Sequence, residues 1–311
     1  MSKPEFLAVV GPTGTGKSSL ALEIAHLLSS KGIKSEIINA DSMQFYKGMD
    51  IGTAKLPLEQ REGIEHHLLD WLEVTEESTA ANFQKLARAK ITELETAGIY
   101  PIVVGGSMLY IASLLNPFDF PGRDPELRAQ LEQELIEGGS EAMHKRLSLL
   151  DSTAASRIDP KNGRRVVRAM EIVMHTGKPF AAALPEQWVS YKPNLQIGLN
   201  SDRAHLVSRL ASRVRKMWDE GLVAEVEGLV SKGLRESKTA KAAIGYAQAL
   251  NQVDGFIQQA EAIEQTTLLT NRYSRRQMSW FRRDPRIKWF DYQTGALKDQ
   301  VFELIKSELE L

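Results

Sequence analysis

An α/β architecture, a doubly wound parallel sheet interrupted by a helical insertion, is predicted by three observations. The first is the octapeptide Gly11-Pro12-Thr13-Gly14-Thr15-Gly16-Lys17-Ser18, which reads G-x-x-x-x-G-K-S. It directly follows the apolar run Phe6 to Val10 and opens a segment with Leu20, Ile24, Leu27 and Leu28 at helical spacing. The glycines let backbone N–H groups turn inward around an anion, and the helix that follows adds the positive end of its dipole. Lys17 brings a full charge and Ser18 offers a hydroxyl to Mg²⁺. The loop therefore binds a diphosphate or a triphosphate, without saying which. The second observation is that strand-like and helix-like segments go on alternating. The third is a change of texture after Asn116, where strand-like runs stop for some eighty residues.

Taken in order, Lys31-Gly32 ends the P-loop helix, and Glu36 to Ala40 reads as a second strand that delivers Asp41 at its end. Ser42 to Glu77 is expected to be mostly loop, punctuated by Gly48, Gly52, Pro57 and Gly63. A helix capped by Ser78 or Thr79 runs to about Ala97. Tyr100 to Val104 makes a third strand, and Gly105-Gly106 turns into the helix of Ser107 to Leu115. Residues 117–193 form the insertion, helical and charged from Glu126 to Thr176 and closed by a loop rich in Ala and Pro around Pro179 to Pro193. The strand Leu195 to Leu199 returns to the sheet, and Ser201 or Asp202 caps a helix to about Glu220. Helices follow at about 222–231, 238–251 and 256–282, then a short strand, Ile287 to Phe290, and a terminal helix. The expected fold is thus P-loop NTPase-like, with residues 1–116 and 194–311 as the core. Gly11, Asp41 and Gly105 to Ser107 all lie at carboxyl ends of strands, where such sheets bind ligands, and are expected to converge on one crevice.

The 311 residues are 42% apolar and 25% charged, as in ordinary globular proteins, and suggest two domains or one with a large insertion. No apolar run approaches the roughly 18 residues of a membrane span. The first strand begins so early that no signal peptide fits before it, which points to the cytoplasm. The chain has no cysteine, which excludes disulfides, thiolate catalysis and cysteine-bound zinc. A net charge of −1 gives no sign of a nucleic-acid partner, but the distribution does. Arg157, Lys161, Arg164, Arg165 and Arg168 stand against the single acid Asp159, and Arg272 to Arg283 interleaves arginine with aromatic residues.

Asp41 can act as a general base, an indirect Mg²⁺ ligand or a helix cap, and Ser42 and Gln44 can hydrogen-bond a base edge or merely solvate the loop. The third strand runs into Gly105-Gly106-Ser107, with no acid where ATPases place a Mg²⁺-holding carboxylate; Asp41 or Asp202 is the available substitute. The helix after Asp202 sets Leu206, Leu210, Val214 and Met217 on one face and His205, Arg209, Arg213 and Lys216 on the next, where an arginine fork can reach phosphate oxygens. His66, His67 and Asp70 have no helical ligand spacing and do not make a metal site.

These motifs together resemble the tRNA dimethylallyltransferase family, also called tRNA isopentenyltransferases. The resemblance rests on GPTGTGKS, Asp41-Ser42-x-Gln44-x-Tyr46, Gly52-Thr53-Ala54-Lys55, His66-His67-Leu68-Leu69-Asp70, Val104-Gly105-Gly106-Ser107-x-Leu109-Tyr110, Arg164-Arg165-Val166-Val167-Arg168-Ala169-x-Glu171 and Ile244-Gly245-Tyr246, in that order over nearly the whole chain. It implies transfer of a dimethylallyl group from dimethylallyl diphosphate to N6 of adenosine 37 in tRNA, with Mg²⁺ at Ser18. On that reading residues 11–18 hold the diphosphate, Lys17 and Arg213 stabilise its charge, and Asp41 is the base. Asp41, Ser42, Met43, Gln44, Ser107, Arg128, Arg164, Arg165, Arg168, Gly245 and Tyr246 match positions that contact tRNA, and the insertion clamps the anticodon stem-loop. The protein is expected to be a monomer. Two departures stand out: Ser107 occupies a position where Thr is common, and Ala242 and Ala247 replace arginines that some members carry. The rival readings are a P-loop kinase of a nucleotide or small metabolite, an isopentenyltransferase of free adenine nucleotides, and a noncatalytic RNA-binding protein.

Overall fold

The computed structural model describes residues 3–118, 120–122, 124–180 and 188–311. They form two compact units, 1–117 with 188–311 and 118–187.

The first unit is built on a six-stranded, all-parallel sheet of order β3-β2-β4-β1-β5-β6. The strands are β1 (Phe6–Val10), β2 (Ser35–Asn39), β3 (His66–His67), β4 (Tyr100–Gly105), β5 (Asn194–Asn200) and β6 (Ile287–Asp291). β1 lies between β4 and β5, with Val10 level with Gly105 and Gly198. Its residues are all fully buried because both faces of the sheet are covered. Leu7 and Val9 point into one apolar layer, packed by α1 (Lys17–Ser30) and the terminal helix. Phe6, Ala8 and Val10 point into the other, which takes in α2 (Ala80–Thr96), α3 (Met108–Leu115) and the helices after β5.

The stretch from Ser42 to Glu77, expected to be mostly loop, also holds two short 3₁₀ turns and the two-residue β3; a strand so short carries no alternation to detect. Helix α2 is capped by the Thr79 hydroxyl, which accepts the Asn82 N–H.

The second unit contains α4 (Pro125–Leu150), α5 (Ser152–Arg157) and α6 (Gly163–Thr176) around a small core of Leu131, Met143, Leu147, Val166, Val167 and Met170. The expected continuous helical stretch is therefore divided, and α4 is itself interrupted at Gly139, whose φ of 78° is outside the helical region. Of the expected Ala- and Pro-rich loop, residues 181–187 lie outside the described residues.

Beyond β5 come α7 (Arg203–Asp219), α8 (Leu222–Val230), α9 (Tyr246–Val253), α10 (Gln259–Phe281) and α11 (Leu297–Leu309). The helix expected over 238–251 begins only at Tyr246. Residues 240–242 make a 3₁₀ turn, and Gly245 stands at φ 93°, which a continuing right-handed helix cannot include.

Candidate active site

The crevice lies at the carboxyl ends of β1, β2 and β4, in the first unit. Between Val10 and Lys17 the chain must turn sharply under the strand ends. Gly11 makes this possible: at its φ of 136° an added Cβ would stand 2.6 Å from the Leu199 carbonyl oxygen of β5. Gly16, in the left-handed region, starts α1. Within the loop the Pro12 carbonyl accepts from the Thr15 hydroxyl at 2.9 Å and from Lys17 Nζ at 2.8 Å, so the lysine folds back over the cradle. Burial lowers the Lys17 pKa to about 8, although Asp41 nearby favours its charged form. Thr13 is held twice: its N–H donates to Gln277 Oε1 at 2.9 Å, and its hydroxyl accepts from Arg213 Nη1 at 3.0 Å.

Helix α7 brings Arg213 here because Leu206, Leu210, Val214 and Met217 bury the neighbouring face. Asp202 is the cap of that helix, accepting the His205 N–H at 3.0 Å. β4 ends at Gly105, against the Ala40 carbonyl, with no acid.

Asp41 caps the short turn 42–45, with Oδ1 accepting the Met43 N–H at 3.1 Å. Burial raises its carboxyl above the ordinary range, opposed by the Met43 N–H and by the charges of Lys17 and Arg213. A carboxylate held by these cations yet deprived of water is a stronger base than a solvated one. Burial also lowers the Arg213 pKa, while Asp41 supports its charge. Beside Asp41, Ser107 Oγ accepts the Ser42 N–H at 2.9 Å and lies 3.1 Å from Ser42 Oγ. Tyr273 of α10 faces Ser107, and burial pushes its hydroxyl up to about 12. Gln44 is half-buried, with Nε2 donating to the Thr53 carbonyl.

The 50–55 segment is braced from below. Lys55, with only 3% of its side chain exposed, donates to the Tyr46 carbonyl and pairs with Asp50 at 2.6 Å and Asp70 at 2.5 Å. Glu225 accepts the N–H groups of Asp50 and Ile51 and the Tyr246 hydroxyl, the last at 2.5 Å. Here the expectation for Gly245 and Tyr246 needs correction. Both are buried and offer no surface to RNA; the Tyr246 ring lies against Gly52 and supports the loop from beneath, while Gly245 packs beside Leu222 and Thr266. Lys55 lies in the Gly52-Thr53-Ala54-Lys55 motif, and Tyr273 and Gln277 lie in the basic 272–283 stretch, but the sequence reading assigned none of the three a role and held no sign of Glu225.

In the second unit, Arg128 and Arg168 lie 3.2 and 2.8 Å from Glu171, which is 1% exposed. Burial works to raise the Glu171 carboxyl, but the two guanidiniums hold it below the usual range. Arg164 and Arg165 are exposed on α6. His67 binds Glu36 and His66 binds the Ile64 carbonyl, and no cluster of three acidic, His or Cys side chains suited to a metal occurs among the described residues. No helix among them is long and apolar enough to cross a membrane.

Comparison with known proteins identifies the architecture. The family model described as IPP transferase matches residues 44–284. A tRNA dimethylallyltransferase of Thermobifida fusca is 51% identical over 98% of this chain and 95% of its own, and one of Kineococcus radiotolerans is 49% identical over 96% of each. Among solved structures, the tRNA isopentenylpyrophosphate transferase of Bacillus halodurans superposes with a TM-score of 0.72 at 34% identity, covering 99% of this chain and 97% of that one. A eukaryotic dimethylallyltransferase acting on tRNA gives 0.80 at 28% identity over 96% and 77% of the two chains. A family match across most of the chain, close relatives over nearly its full length and a shared P-loop core lead to one conclusion: the chain belongs to the IPP transferase family.

Proposed function

We propose that this protein is a tRNA dimethylallyltransferase that moves the dimethylallyl group of dimethylallyl diphosphate to N6 of adenosine 37. The observation that carries the reading is the meeting of a P-loop, two half-buried cations and one desolvated carboxylate, Asp41, in a crevice where β4 supplies no acid. That set suits an anionic leaving group and a proton acceptor better than it suits a γ-phosphate and an attacking water.

The loop amides of residues 11–18 receive the diphosphate, and Lys17 leaves the Pro12 carbonyl to meet it. As the allylic C–O bond breaks, its electron pair passes to the diphosphate, where Lys17 and Arg213 stabilise the growing charge. N6 bonds to the allylic carbon and gives its proton to Asp41. Oδ2 is the acceptor, because Oδ1 already takes the Met43 N–H. Ser18, exposed on the first turn of α1, fits Mg²⁺, a hard ion that takes one or two protein oxygens and completes its shell with phosphate and water. When bound there it adds charge neutralisation on the diphosphate.

The adenosine must leave its stack to reach the crevice. Ser42, Met43, Gln44 and Ser107 line the side of Asp41 where it would rest. The helical unit takes the anticodon stem-loop: Arg164 and Arg165 face solvent for phosphate contacts, whereas Arg128 and Arg168 brace Glu171 and shape that surface. All three groups we assign to the chemistry lie in the first unit, and we take the protein to act as a monomer on tRNA in the cytoplasm.

The test is incorporation of labelled dimethylallyl groups into acid-precipitable RNA, from unmodified tRNA, dimethylallyl diphosphate and Mg²⁺, without ATP. Label in RNA is the expected result. ATP turnover indifferent to RNA, with no label transferred, would replace this reading with a kinase.

A further inference from the structure

We infer that Gln277 is a positioning residue that fixes the diphosphate cradle and ties it to the acceptor side, an inference that rests on the function proposed above. Gln277 is 1% exposed. Its Oε1 accepts the Thr13 N–H at 2.9 Å and its Nε2 donates to the Gly106 carbonyl at 2.8 Å, joining positions 264 and 171 residues away. One end of the contact needs an acceptor and the other a donor, which only an amide of this length supplies. Glutamate would set an oxygen against the Gly106 carbonyl and place a negative charge in a loop built for an anion. Methionine would fill the space and satisfy neither group.

The position gives the contact its consequence. Thr13 is held on its hydroxyl by Arg213, so the cation assigned to the diphosphate and Gln277 share one anchor. One turn earlier on α10, Tyr273 faces Ser107, which in turn holds the Ser42 N–H. A single helix face thus braces both the P-loop and the loop that carries Asp41, and sets the gap that the dimethylallyl group must cross. A misplacement of the order of 1 Å across such a gap is costly.

The test compares the full chain with Gln277→Met and Gln277→Glu. Inorganic pyrophosphate binding is measured by calorimetry with Mg²⁺, tRNA binding without donor, and KM and kcat wherever transfer is detectable. Loss of one backbone-directed bond at each end predicts pyrophosphate binding and donor KM weaker by about tenfold in Gln277→Met, and weaker still in Gln277→Glu, with tRNA binding within about twofold. Pyrophosphate affinity like that of the parent in both variants would overturn the inference. So would an equal weakening of pyrophosphate and tRNA binding, the mark of general loosening. If Gln277→Glu fails to fold, Gln277→Met decides alone. A parent protein that binds pyrophosphate but transfers nothing to tRNA would defeat the proposed function, and the pyrophosphate comparison would still judge Gln277.

Discussion

Asp41 shows how one side chain can satisfy a structural and a chemical demand together. Its Oδ1 caps the turn 42–45, which fixes the carboxylate's direction, while burial raises its basicity against the opposing charges of Lys17 and Arg213. Asp41→Asn keeps the cap acceptor and removes the base, so we expect kcat to fall by roughly 10²–10⁴, the usual worth of general base catalysis. Pyrophosphate and tRNA affinities should change little; normal turnover by this variant would remove Asp41 from the chemistry. The sign of the pH dependence follows from the same environment. In the proposed reaction transfer needs the carboxylate, so kcat/KM should fall as pH drops through the raised Asp41 pKa. Arg213 lowers that pKa, and its loss in Arg213→Gln should move the acid limb to higher pH as well as weaken donor binding. An acid limb that stays in place in Arg213→Gln would assign the limb to another group.

At the scale of elements, the sheet was legible because buried parallel strands are unbroken apolar runs: Phe6 to Val10, Ile102 to Val104 and Leu195 to Leu199 announce themselves. The positions of Asp41, Lys17 and Arg213 were legible too, each placed by a strand end or a helix face; the roles assigned to them are our proposal. What stayed hidden depended on contacts between distant segments. Nothing local to Tyr246 says that its hydroxyl meets Glu225, and nothing local to Lys55 says that it is enclosed. The loop 42–55 has little regular structure of its own, and its shape is held by such contacts. Lys55 is the centre of this support: it binds the Tyr46 carbonyl, Asp50 and Asp70 at once. Lys55→Met should therefore loosen the loop while sparing the sheet. We expect amide exchange over 42–55 to accelerate with little change in the β1 and β4 amides, and tRNA KM to rise more than donor KM. Unchanged exchange in the loop would mean that Glu225 and Tyr246 suffice.

The whole molecule divides its tasks between two units, and the first is constructed to close without the second. The chain leaves the core at Leu115 and returns at Tyr191, and there the Tyr191 N–H donates to the Leu115 carbonyl at 2.8 Å, so the two crossings lie side by side. Arg286 binds Asn116 on the outgoing chain at 2.8 Å and Ser190 on the returning one at 3.0 Å. Arg88 reaches the carbonyls of Ser113, Leu114 and Asn116 and stacks 3.7 Å from the centroid of the Tyr191 ring. Because these anchors all belong to the first unit, residues 118–187 should be replaceable by a short glycine-rich linker joining Pro117 to Trp188. The shortened protein should unfold cooperatively and bind pyrophosphate with the affinity of the parent, since residues 11–18, Arg213 and Gln277 remain. Its RNA binding should collapse. Loss of the exposed Arg164 and Arg165 removes two of the phosphate contacts we propose, each worth a slope of about 0.9 in log affinity against log salt on duplex backbone. The salt dependence of tRNA binding should therefore flatten by about 2, with transfer falling in step. A shortened protein that keeps both the affinity and the salt slope of the parent would place the RNA on the core alone. The arginines of α10, Arg272, Arg275 and Arg276, would then be the next residues to replace.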